Sequence, residues 1–147
     1  MGERPLAAVA LLLAAILASA AQAEALLQAG AYEVEVRLEL PNLAWSATSS
    51  ATFCLPHADG PPLPVLSANN PLARCPAENV RREGAILRFD IICEGTNAAR
   101  ARAVYDLYPE RFEGRIAMVM GVKNMTQTEF QTGRRVGPCD PPPTPQN

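Results

Sequence analysis

Tyr32, Val34, Val36, Leu38 and Leu40 alternate with Glu33, Glu35, Arg37 and Glu39. Side chains of an extended chain point to opposite faces in turn, so this alternation predicts a strand with one buried and one wet face. Pro41 and Asn42 end it. Residues 46–55 are rich in Ser and Thr, place Phe53 and Leu55 on one face, and read as the hairpin partner. A third run, 85–93, sets Leu87, Phe89 and Ile91 against Arg88 and Asp90, and 79–82 pairs with it through a turn at Arg82-Glu83-Gly84. Over 99–107, Ala101, Ala103 and Tyr105 alternate with Arg100, Arg102 and Asp106. A turn over 109–114 leads to a strand at 115–123, and 128–136 completes the set. Prolines 56, 61, 62, 64, 71 and 76 leave room for a single helical turn, expected near 65–69. The pattern predicts an all-β antiparallel meander of about six or seven strands, as a small barrel or a curved sandwich.

The N-terminus obeys a different pattern. Residues 6–17 form an uninterrupted apolar run after Arg4, and Ala21-Gln22-Ala23 supplies small residues at the positions that signal peptidase reads. Residues 1–23 therefore read as a secretory signal peptide. The twelve apolar residues fall short of a membrane span, which needs about 20. Cleavage before Glu24 leaves a soluble periplasmic or secreted product. Its expected organisation is one β domain over 24–139 and a disordered proline-rich tail over 140–147. The full chain has 147 residues, 48% of them apolar, and a net charge of −2. That balance excludes a disordered chain and a basic nucleic-acid binder. Lys123 is the only lysine among 13 basic residues, and with abundant Ala and Pro this points to a GC-rich bacterial genome.

Four cysteines change the picture: Cys54, Cys75, Cys93 and Cys139. An even count in an exported chain argues for two disulfides. Intervening gaps of 20, 17 and 45 residues and a single histidine, His57, disfavour zinc, a redox C-x-x-C and a catalytic thiol. The expected pairing is Cys54–Cys75, pinning the proline-rich loop, with Cys93–Cys139 sealing the sheet. The interleaved pair Cys54–Cys93 with Cys75–Cys139 is the alternative.

These landmarks resemble a family of small exported bacterial proteins known only as a domain of unknown function with four cysteines. Gly30-Ala31-Tyr32-Glu33-Val34 is similar to that family's opening Gly-x-aromatic-Glu-Val strand. Gly133-Arg134-Arg135-Val136-Gly137-Pro138-Cys139 is similar to its closing Gly-Arg-Arg-x-Gly-x-Cys, and Cys54, Cys75 and Cys93 fall between. The chain departs from the family in its proline-rich first cysteine loop and in lacking glycines over 98–108. The resemblance implies export, an all-β fold and disulfides. It implies no activity.

Candidate chemistry is sparse, and each constellation has a plainer explanation. Glu33, Glu35 and Glu39 could hold a cation or a basic partner, but carboxylates on one strand face more often solvate it and block edge pairing. Arg81-Arg82, Arg100 with Arg102, and Arg134-Arg135 could gather into an anion site, or pair with the glutamates across strands. His57 lacks a nucleophile at useful spacing. Met118, Met120 and Met125 could bind Cu(I) through their thioethers, but Met118 and Met120 fall in register with Ile116 and Val122 as core. Ala99, Ala101 and Ala103 line up on the inner face, where either Phe89 and Tyr105 fill the space or an apolar cavity remains. No catalytic residue, cofactor or metal is expected. The expected role is a non-enzymatic cell-envelope module that binds another protein or serves structurally. A carrier of a small apolar ligand is the alternative, with partner and oligomeric state open.

Overall fold

A computed structural model describes residues 27–44, 46–58, 63–95, 98–121 and 125–140. The expected signal peptide and all but the first residue of the proline-rich tail lie outside them, as do Lys123 and Val122. Seven strands follow in order: β1 (Gly30–Glu39), β2 (Ser46–Leu55), β3 (Ala77–Glu83), β4 (Ile86–Cys93), β5 (Ala99–Tyr108), β6 (Arg111–Met120) and β7 (Met125–Gly137). A 3-10 turn, Pro71–Arg74, precedes β3. All seven form one antiparallel sheet in the order β2-β1-β7-β6-β5-β4-β3. β3 to β7 are a meander, and the β1–β2 hairpin adds to it when β1 pairs with β7. The all-β antiparallel fold is the one the alternation predicts. Its barrel form is not closed, because β2 and β3 remain as edges.

The sheet nevertheless curls strongly. β2 and β6 are three strands apart, about 14 Å on a flat sheet. Yet the rings of Phe53 in β2 and Phe112 in β6 lie 6.5 Å apart, centroid to centroid. Phe112 also meets Tyr32 of β1 at 5.7 Å and Tyr105 of β5 at 5.8 Å. Phe89 of β4 stacks on Tyr105 at 5.9 Å. One file of rings thus crosses the inner face from β2 to β4.

Two glycines make room for it. Gly133 of β7 pairs with Phe112, and a Cβ there would overlap the Phe112 ring. Gly114 of β6 pairs with Tyr105, and a Cβ there would overlap the Tyr105 ring. Gly114 thus lies inside a strand. The turn expected over 109–114 closes instead at Pro109 and Glu110, and β6 starts at Arg111. Phe112 belongs in the strand because its ring has a berth over Gly133.

The loop between β2 and β3 also departs from expectation. Residues 65–69 are not helical, and the turn forms later, at Pro71–Arg74. Asn70 decides the position: its side-chain carbonyl accepts from the Leu72 amide at 3.1 Å, and Pro71 takes the first helical place, where no amide is needed.

Both expected disulfide pairings are overturned. The bridges are Cys54–Cys139 and Cys75–Cys93. Ala77 pairs with Ile91 in the β3–β4 ladder, so two residues further out Cys75 falls opposite Cys93, at a Cα separation of 5.2 Å. β1 lies between β2 and β7, and the chain leaving β7 crosses the start of β1 to reach Cys54, with Cα atoms 5.5 Å apart. Cys54 and Cys75 end up at opposite sides of the sheet because the loop between them spans its inner face.

Two outcomes are predicted. Gly133→Ala forces a methyl against a ring that is boxed in by Tyr32, Phe53 and Tyr105. It should lower stability in urea by about 2 kcal/mol, the usual cost of overpacking, and an unchanged midpoint would refute the ring-over-glycine account. Non-reducing peptide mapping should find Cys54 with Cys139 and Cys75 with Cys93. In the chain-entropy model these closures contribute about 4.5 and about 3 kcal/mol.

Candidate functional site

The inner face of β7 breaks the apolar rule. Glu129 and Gln131 are completely or almost completely buried there, among Val36, Tyr105, Ile116 and Met118. Burying a carboxylate is costly unless its oxygens are hydrogen-bonded. Here they are. The Leu66 amide donates to one oxygen at 2.8 Å, the Ser67 amide to the other at 3.1 Å, and Gln131 Nε2 donates to the first at 2.6 Å. The same Gln131 nitrogen donates to the Pro64 carbonyl at 2.8 Å, and the Tyr105 hydroxyl donates to Gln131 Oε1 at 3.1 Å. Burial pushes the Tyr105 phenol well above its ordinary pKa, and the negative charge of Glu129 raises it further. It therefore stays a donor, and its contribution to stability is present below about pH 10 and lost as pH rises beyond that.

The network clamps the chain's own loop onto the sheet. Leu63, Val65 and Leu72 are buried in the same core as Ala99, Ala101 and Ala103, and the 3-10 turn packs against β4 and β5. The alanine row gives that turn its space, while Phe89 and Tyr105 interdigitate beside it. Asn70 reinforces the contact by donating to Ser67 Oγ at 2.9 Å and to Met118 Sδ at 3.2 Å. Cys75–Cys93 fastens the loop's far end. The carboxylate thus accepts from two loop amides and from the Gln131 side chain, an arrangement that suits holding a loop.

The other candidates do not gather into a site. Glu33 faces Arg134 at 2.9 Å, and Glu39 faces Arg37 at 2.8 Å. Arg102 pairs with Asp90 at 3.5 Å. Asn79 donates to Asp90 at 3.0 Å and holds its carboxyl below the ordinary range, with Arg102 and Arg81 assisting. Arg81 sits on β3, Arg100 and Arg102 on β5, and Arg134 and Arg135 on β7, so β4 and β6 separate the pairs. Arg135 turns inward instead, where its Nε donates to the Ala29 carbonyl at 2.8 Å. Met118 is core, Met120 is partly buried against it, and Met125 is 59% exposed. His57 is exposed just after β2. Among the described residues no three His, Cys, Asp or Glu side chains converge as metal ligands, and no helix is long and apolar enough to cross a membrane.

Glu129 and Gln131 are hidden in the sequence because isolated polar residues in a strand look like its wet face. The detectable signal was the phase of β7. Phe130, the large apolar residue between them, lies on the outer face with the Arg37 guanidinium 4.7 Å from its ring centroid.

The model of one protein family matches residues 27–139, the whole sheet and both cystines. Its description is Protein of unknown function (DUF3617). The chain belongs to that family. Searches of curated proteins and of solved structures found no match. For this DUF3617 chain the site to test is therefore the clamp.

Glu129→Ala leaves two loop amides and the Gln131 amide without their acceptor. It should cost about 3 kcal/mol in urea unfolding and open the 56–76 loop to protease. Glu129→Gln, which keeps the shape and one acceptor, should cost less than half as much. Wild-type stability and protease resistance in Glu129→Ala would remove the clamp.

Proposed function

We propose that the protein is an exported, non-enzymatic module of the cell envelope that works through its outer surfaces, by binding another protein or as a structural part. One observation carries this reading: the concave face, where a β fold would house a ligand or chemistry, is filled by the chain's own loop. The loop is held by the Glu129–Gln131 network and by Cys75–Cys93. Two cystines and no free cysteine among the described residues suit an oxidising compartment. The signal-peptide pattern over 1–23 and the composition support export by a bacterial cell. The apolar-carrier alternative loses its main support, because Leu72 and its turn lie over the alanine row that suggested a cavity.

Expression in a Gram-negative host tests the reading. The protein should be released by osmotic shock, begin at Glu24 and carry no free thiol. A cytoplasmic protein starting at Met1 with reduced cysteines would overturn export. Turnover of an esterase, glycosidase or phosphatase substrate that His57→Ala abolishes would overturn the non-enzymatic role.

A further inference from the structure

The two edges of the sheet are built differently. β3 carries Glu78, Arg81, Arg82 and Glu83 in seven residues, and its register slips between Glu78 and Arg81. At that slip Asn79 adopts a φ of +53°. Charges and a bulge are the devices that stop a strand from accepting another. β2 has neither. Its ten residues, Ser-Ala-Thr-Ser-Ser-Ala-Thr-Phe-Cys-Leu, contain no charge, proline or glycine, and they pair with β1 without a slip. Among the described residues β1 is the only backbone partner of β2, so one side of its ladder is unfilled.

We propose that two copies of the protein join through β2, antiparallel, about a two-fold axis at Ser50. The side chains are self-complementary in that register. On the outer face Ser50 meets its own copy, and Thr48 meets Thr52 twice, a pairing that favours antiparallel strands. On the inner face Ser49 meets Ala51. The half-buried Phe53 comes opposite Ala47 of the other copy, a small residue under a ring, as Gly133 lies under Phe112. No like charges oppose each other across the junction. Assembly ends at two, because among the described residues the sheet's other edge is the blocked β3, and a head-to-tail β2–β3 contact that would grow into a fibre is disfavoured. A second copy is the occupant favoured over a foreign peptide because the strand supplies its own complement. The pairing requires neither export nor a particular envelope role.

Sedimentation equilibrium of the disulfide-bonded protein tests this, from low micromolar to several hundred micromolar. A monomer–dimer equilibrium is expected. Ser50→Lys, on an exposed position, sets two ammonium groups face to face at the axis. It should weaken the dimer about tenfold or more, with partial recovery in high salt. Val80→Lys on β3 should leave the equilibrium unchanged. Circular dichroism and peptide mapping would verify that both variants keep the fold and the bridges. A wild type that stays monomeric throughout would overturn the proposal. So would a dimer indifferent to Ser50→Lys, or one that Val80→Lys disrupts. A monomer that instead binds an extended peptide along β2 would overturn the second copy as occupant.

Discussion

A single sheet has two faces, and in this chain only one can be wet. The inner face, bearing Tyr32, Val34, Val36, Phe89, Tyr105, Phe112 and Ile116, needs a cover, and no second sheet or long helix is present among the described residues. The cover is a loop, and a loop brings backbone amides that must be satisfied once buried. Glu129 and Gln131 meet that requirement. They sit in the middle of the apolar face because the loop's amides and the Pro64 carbonyl arrive there. The polar pair and the proline-rich loop are one device, and either alone would be destabilising.

The curl of the sheet depends on that device and in turn supports it. Rings from five strands converge only because Gly114 and Gly133 let them lie over the backbone. The curvature then brings the phenol of Tyr105 against Gln131 and orients the amide that bridges to Glu129 and Pro64. The aromatic file occupies one end of the concave face, and Leu63, Val65 and Leu72 fill the remainder. Small residues mark both berths: glycine under the rings, alanine under the 3-10 turn.

Much of the fold was legible in the chain. Period-two alternation marks β1, β4 and β5, and the Ser/Thr-rich run gives β2 its observed bounds, because strands with one wet face write their burial into the sequence. β3, β6 and β7 are expected in place but with shifted ends. What failed was non-local. Hairpin β3–β4 is legible in the sequence, but the register slip between Glu78 and Arg81 that brings Cys75 opposite Cys93 is not. The Cys54–Cys139 bridge required knowing that β1 inserts between β2 and β7, which no local pattern encodes. Gly114 read as a breaker because its reason, the Tyr105 ring, lies on another strand. Glu129 was invisible for the same cause, its partners being the amides of Leu66 and Ser67, more than sixty residues earlier.

The placement of the two cystines follows from which parts of the sheet are held least. β4, β5, β6, β7 and β1 each have a strand on both sides, whereas β2 and β3 each rely on one. Cys75–Cys93 anchors the start of β3 and the end of the covering loop. Cys54–Cys139 anchors the end of β2 and the departure of the chain from β7. Each bridge thus reinforces one edge strand at the end where it meets the 56–76 connection. Between those two fixed points the loop need only be guided onto the inner face, and the prolines that forbid a long helix also reduce the entropy lost in laying it down. Oxidation therefore secures the edges and the cover together. A reduced chain would keep the central strands' pairing but lose its hold on both edges and on the loop that keeps the aromatic file dry.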